Sequence, residues 1–573
     1  MEKRPFEIAI QDFVYNIDVG LGFRLVRALM LILLLGFVML WFTAVRFRGL
    51  KEAEAMELAQ LGRNLLQKKA LITQCVRPVT MQFLIEHSPS RQAQVDFHPD
   101  VRNAPIYPAL LAAAFWPAQK AFASSDTRQF GVFAPEQWCI VPLNHLFTLL
   151  SAVFVYLIAR RLFSQRIAQL TTLGFLLSRM VWEDSLAGLG LPVVWCFGLG
   201  AWYFLLRASQ TISEGGRSAS WALSVLVSAV LAGLAILTRY AVMAMVPGLL
   251  LYLGISTRSR GVGRWVVSYL LVVVLVLSPW WVRNYRVSRT LWGDAPRTAL
   301  HNSKLSEGDA IDRAMRTTLT FGTVREAIMA KVVRRFADVY RFELPRQGEG
   351  LLWPLFLASF LFRFSRRETH WFRWSVALGM VVIALTACVF DSALRVIHLF
   401  WPIALAYGWA FFFVLLDRLQ LTWRALQIAA AVVIGASSAL PFGLALLPPA
   451  ESIPYPPYFP RFISAVSGML QEREVMCTDM PWATAWYGNR TSIYLPLSLD
   501  EFYTINDYYK GIRGLYFTTL TRDLPFAGTL LTGPYKTWFP ILTGRLPSDF
   551  PLPYALPINN FRELFLSDRP RWE

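Results

Sequence analysis

The sequence predicts a polytopic α-helical membrane protein with a small α/β unit following its last span. Three observations carry this: about eleven separated apolar runs, a charged fraction of only 16% where soluble domains carry about a quarter, and a switch to short alternating segments after Pro448. The composition, 55% hydrophobic and 14% aromatic, agrees.

Crossing about 30 Å of hydrocarbon takes about 20 apolar residues. Suitable runs fall at Val26 to Val45, Ile140 to Leu162, Ile167 to Val181, Leu191 to Leu206, Trp221 to Leu237, Val242 to Ile255, Trp265 to Val282, Leu351 to Phe364, Trp374 to Phe390, Val396 to Leu416 and Ala425 to Leu447. Every second short loop between them is basic, beginning with Arg160, Arg161 and Arg166, then Arg207 with Arg217, and later Arg363, Arg366, Arg367 and Arg373. The loops between are poor in positive charge, so the N-terminus is expected in the cytoplasm and the C-terminus outside. Loops 46–136 and 283–350 and the segment 448–573 then share the non-cytoplasmic side. The expected division is a membrane domain over 1–447 and an extracytoplasmic α/β domain over 448–573. The bacterial plasma membrane is the natural location, although an endoplasmic reticulum would satisfy the same charge rule. Glu2, Lys3 and Arg4 precede the first run without a small-residue cleavage site, which reads as an uncleaved anchor.

A net charge of +18 raises the question of nucleic acid, but the arginines lie between apolar runs, where they set topology or meet anionic lipid headgroups. Nucleic acid is not expected as a partner; membrane lipid is. The five cysteines have no metal-ligand spacing, and Cys75 with Cys139 is the one pair to test for a disulfide.

In the first large loop, a helix from about Lys51 puts Leu58, Leu61 and Leu65 on one face with Glu54 one turn ahead, near the positive end of the helix dipole. Farther on, Phe97 to Pro108 carries three prolines that fix the path of a pocket-lining segment, and Ile106 to Phe122 reads as an interfacial helix. The second large loop holds an amphipathic pattern, Val324 to Phe342, with Ile328, Val332, Phe336 and Val339 in register and Arg325, Lys331, Arg334 and Arg335 around them. After a proline-rich stretch, strands are expected near Glu474 to Thr478, Ser492 to Leu495 and Gly514 to Thr518. Helices near Trp482 to Tyr487 and Leu499 to Lys510 separate them, the rhythm of a parallel sheet.

This arrangement resembles the GT-C membrane glycosyltransferases, nearest to the branch containing protein O-mannosyltransferases and aminoarabinose transferases. Aligning Arg63 with the last residue of that branch's Asp-Glu-x-x-Tyr-Ala-x-x-Ala-Arg pattern puts Glu54 on the leading Asp, Leu58 on the Tyr and Ala59 on the Ala. Where the branch commonly has Lys-Pro or Pro-Pro before an aromatic, this chain has Ala104-Pro105-Ile106-Tyr107. Gly233 to Arg239, Pro279 to Asn284 and Arg395 to Pro402 also look like recurring span-end segments. The resemblance implies a hexosyl- or pentosyltransferase that moves a sugar from a polyprenyl-phosphate donor to a glycan, lipid or protein acceptor with inversion. It implies Glu54 as the catalytic base and Arg102, Arg283 and Arg395 as the pool for the donor phosphate. Asp100 and Asn103 would sit in the substrate loop. Some relatives use a divalent metal, for which Glu57, His98 and Asp100 are the available ligands, though no spacing demands one. The alternative is a GT-C-like scaffold that has lost catalysis and binds a partner through its outer domain.

Overall fold

The computed structural model describes residues 21–89, 94–119, 132–258, 261–315, 319–344, 348–420, 423–448, 458–522, 533–558 and 562–572. Glu2 to Arg4, expected to precede an uncleaved anchor, and most of the proline-rich stretch before Phe459 lie outside them. Each apolar run falls on helix. Seven helices among the described residues are long and apolar enough to cross a membrane: Glu136–Leu162, Leu191–Ser213, Ser218–Thr238, Val262–Ser288, Arg367–Val389, Asp391–Arg418 and Arg424–Ala445. Others are shorter, including Gln165–Leu176, Tyr240–Ser256 and Leu352–Leu361. The Ile167 to Val181 run is broken at Ser178, after which Arg179–Leu186 forms a separate helix.

Leu191–Ser213 is central, with its tryptophans Trp195 and Trp202 fully buried. The outer helices expose apolar side chains instead, Leu271 and Leu275 on one and Val432 and Val433 on another. A helix apolar on its outward face is stable where lipid replaces water.

Among the described residues the strands form one six-stranded sheet: β1 Cys75–Val76, β2 Val475–Thr478, β3 Ser492–Tyr494, β4 Ile512–Phe517, β5 Tyr554–Ile558 and β6 Glu563–Ser567. Their order is β1-β3-β2-β4-β6-β5. The first four are parallel, connected by the expected Pro481–Tyr487 and Leu499–Tyr508 helices; β6 runs antiparallel to both β4 and β5. The sheet is thus not confined to residues 448–573. Its edge is a piece of the first large loop, with Cys75 opposite Ser492 and Val76 opposite Ile493.

In that loop, Ala53–Lys68 is a helix, and Ile106–Phe115 packs on it. A side chain at Gly62 would lie 2.7 Å from Leu111 Cβ, so glycine is what allows the approach. Tyr107, Leu111 and Phe115 are buried, a deeper setting than the expected interfacial one. The amphipathic segment is helical over Phe321–Asp338, but Lys331 turns inward and donates to the carbonyls of Ala299 and Val389 at 3.2 and 2.8 Å. Met329, Val333, Phe336 and Tyr340, at helical spacing, form an exposed apolar stripe. All five cysteines are free.

Candidate active site

Two carboxylates sit at the start of the Ala53–Lys68 helix. Glu52 is its N-cap, in extended conformation and without a side-chain cap, and Glu54 is in its first turn. Both lie where unpaired backbone N–H groups favour negative charge. Each meets an arginine from a distant part of the bundle. Glu54 Oε2 is 3.1 Å from Arg239 Nη2, and Glu52 Oε1 is 2.6 Å from Arg395 Nη2.

The two pairs differ in burial. Arg239, the residue after the Ser218–Thr238 helix, is only 8% exposed and also donates to Ser392 O, so it is fixed in place; its partner Glu54 is 40% exposed. Arg395 and Glu52 are both about two-fifths exposed. A buried guanidinium therefore holds an accessible carboxylate beside a second, accessible guanidinium. Asp184 borders the group, with its Oδ2 at 2.5 Å from His398 Nδ1.

Next to this cluster, from Glu57 on the same helix, lies a buried clamp. Arg77 grips Glu57 with two bonds of 2.8 and 2.5 Å and reaches Asp312 at 3.3 Å; Arg102 meets Asp312 at 2.8 Å, and His301 completes the group at 3.2 Å from Asp312. Asn103 bridges Glu57 and Asp100 at 3.0 and 3.3 Å. Arg283 donates to the backbone carbonyls of Asp100 and Leu71 and stacks over Trp280. Arg102, Arg283, Asp100 and Asn103 are thus brought together, but Arg102 and Arg283 tie the first loop to the second, while the Asp100 and Asn103 side chains brace the first loop internally. Only Glu54 and Arg395 of the expected residues face the open cluster.

The clamp sets its own protonation. Burial alone would push the Glu57 carboxyl up, but the Arg77 charge and its bonds outweigh this and hold it below the usual carboxylate range. Asp312 is likewise held down, by Arg102 and His301 against its burial. Asp100 goes the other way: burial and the Glu57 charge push it up to about 6, with Arg283 and two backbone N–H groups opposing. An unfolded aspartate ionises near 3.8, so between about pH 4 and 6 the folded state binds more protons and Asp100 lowers stability as pH rises. Asp100→Asn is expected to raise unfolding stability at pH 7.5 by up to about 3 kcal/mol, with the gain vanishing below pH 4. Parallel pH profiles for parent and variant would contradict it.

A sequence model of the family described as dolichyl-phosphate-mannose-protein mannosyltransferase matches residues 129–282. No curated protein sequence matches the chain. Among solved structures, the chain is similar to ArnT from Cupriavidus metallidurans bound to undecaprenyl phosphate, at 12% identity and TM-score 0.55, over 94% of this chain and 98% of that one. The apo state of the same protein gives a TM-score of 0.56, at 12% identity over 95% and 98%. The oligosaccharyltransferase AglB from Archaeoglobus fulgidus, in complex with an inhibitory peptide and a dolichol-phosphate, matches at 10% identity and TM-score 0.54, over 85% of this chain and 69% of that one. The chain has the GT-C fold.

In this GT-C fold the clamp does not suit a divalent ion. Glu57 is committed to Arg77, and Asp100 accepts from the backbone of Arg102 and Asn103. Among the described residues no group of three His, Cys, Asp or Glu side chains is arranged to hold a metal.

Sequence reasoning missed Glu136. This fully buried carboxylate begins a GT-C span, and it accepts from Leu50 N at 3.0 Å and from Trp486 Nε1 at 2.8 Å, joining loop, bundle and sheet unit. Arg239 had a faint signal, a lone arginine at a span end; nothing in the sequence paired it with Glu54.

Proposed function

We propose that the chain is a glycosyltransferase that moves a sugar from a polyprenyl-phosphate donor to an acceptor hydroxyl at the extracytoplasmic face, inverting the anomeric carbon. One observation carries this reading: two accessible carboxylates at a helix start, paired with Arg239 and Arg395, in a GT-C fold whose solved neighbours hold undecaprenyl phosphate and dolichol-phosphate. Glu54 takes the acceptor proton as the hydroxyl attacks the anomeric carbon from the side opposite the phosphate. Arg239 orients Glu54. Arg395 exchanges Glu52 for the departing phosphate and stabilises its growing charge. Arg102, Arg283, Asp100 and Asn103 act by fixing the loop that carries Glu54. Eleven crossings with a cytoplasmic N-terminus, in the plasma membrane of a bacterium, are supported by the alternation of arginine among the short loops.

The test is transfer of labelled sugar from polyprenyl-phosphate donors by purified chain in lipid. Arg395→Ala is expected to cost about 10- to 150-fold in kcat/KM, the worth of a hydrogen bond to a charged group. If the parent neither bound nor turned over any such donor, the reading would fail in favour of a non-catalytic scaffold.

A further inference from the structure

A cavity of about 480 Å³ opens at the other end of the bundle from Glu54. It lies where the Leu191–Ser213 and Tyr240–Ser256 helices end and the Arg367–Val389 helix begins. This last helix has 23 residues, so the cavity is about 34 Å along it from the end that leads into Asp391. Its size suits a small polar headgroup.

The chemistry of its wall is specific. Arg258 and Arg367 line it from two elements, together with Glu368 and Trp371. No ion pair joins Arg258, Arg367 or Glu368 to one another or to another described residue. The helix start contributes further positive potential, because its N-cap, Arg366, offers no side-chain cap to the first N–H groups. At the inner end Tyr252, only 1% exposed, makes no well-formed hydrogen bond among the described residues, although the Ser209 side chain lies beside it. A buried hydroxyl without a partner is costly unless something supplies one.

We infer that this cavity binds a phosphate ester bearing a hydroxyl or amine. The two guanidiniums and the helix start take the phosphate, as forked donors do best. Tyr252 donates to a phosphate oxygen, and Glu368 accepts from the hydroxyl or amine. The site lies beyond the transfer reaction proposed above and is independent of it. A phospholipid headgroup and a soluble phosphate ester share this chemistry.

The experiment is native mass spectrometry of the full chain with phosphatidylglycerol or phosphatidylethanolamine, with and without glycerol 3-phosphate. The Arg258→Ala/Arg367→Ala double variant is expected to lose phospholipid retention about tenfold, and Tyr252→Phe less. Arg217→Ala, an exposed arginine outside the cavity, should retain lipid as the parent does. Loss that glycerol 3-phosphate cannot mimic by competition assigns the site to lipid; competition assigns it to a soluble ester. Equal retention by parent, double variant and Tyr252→Phe would overturn the site, and so would an equal loss in Arg217→Ala.

Discussion

Replacing Glu54 by Gln is expected to stop sugar transfer in a chain that still folds. The side chain is 40% exposed, and an amide oxygen still offers Arg239 an acceptor beside Ser392 O, so the variant should still fold, with a loss of stability from the uncompensated Arg239 charge. The loss in rate is of another order: a general base contributes about 10²- to 10⁴-fold, and a neutral amide cannot take the acceptor proton. Glu54→Asp should keep partial activity. Its carboxylate is withdrawn by about one methylene, and a misplacement of about 1 Å can itself cost about 10². Glu52→Gln is the discriminating companion, because it frees Arg395 without touching Glu54 and should weaken transfer far less. Initial rates of labelled transfer would be read beside the elution profile of each variant. Undiminished transfer by a well-folded Glu54→Gln chain would move the base elsewhere.

Arg63→Ala should detach the sheet unit from the loop helix. Arg63 lies in the middle of the Ala53–Lys68 helix and donates to Trp486 O at 2.8 Å, Ala485 O at 2.6 Å and Gln74 Oε1 at 2.9 Å, with its guanidinium 5.3 Å from the centre of the Trp486 ring. The two carbonyls belong to the last turn of the Pro481–Tyr487 helix, where the helix supplies no partner of its own. Burial draws the guanidinium down to about 10, so it remains charged at neutral pH. Truncation removes three charge-assisted bonds and leaves buried acceptors unpaired, at a cost on the order of 3–5 kcal/mol. Thermal unfolding and limited proteolysis should both register it, as an earlier transition and as faster cleavage between the membrane bundle and the sheet. Arg63→Lys retains the charge but not the fork, and should fall between. A variant that melted and resisted protease like the parent would refute the docking role.

What could be read in advance follows from the range of each signal. Apolar runs are local and long, and all eleven became helix; the β2, β3 and β4 strands, with the helices between them, were equally legible from short-range alternation. The β5 and β6 pair was not, since Tyr554–Ile558 contains Pro557 and is mostly exposed, without the buried alternation that marks a strand. In the site, Glu54 was found through an ordered pattern around Arg63, whereas its partner Arg239 is joined to it only by the packing of the bundle. Arg102 and Arg283 were readable as cations near the loop. That Asp312 and two backbone carbonyls would engage them was not, because the contacts are set by the second large loop folding over the first. Charge is visible in sequence; what neutralises it is a tertiary fact.

The β1–β3 pairing bears on when the molecule becomes competent. Arg63 awaits Trp486, 423 residues along the chain, and Cys75–Val76 has no neighbour until Ser492 and Ile493 are made. Contacts of such separation are slow to close. During synthesis, at about 5–20 residues per second, the bundle is threaded into the membrane while the loop bearing Glu54 still lacks its anchor, for some tens of seconds. The site is thus the last part to be assembled, and a chain that stops before the sheet is complete should be inserted yet inert.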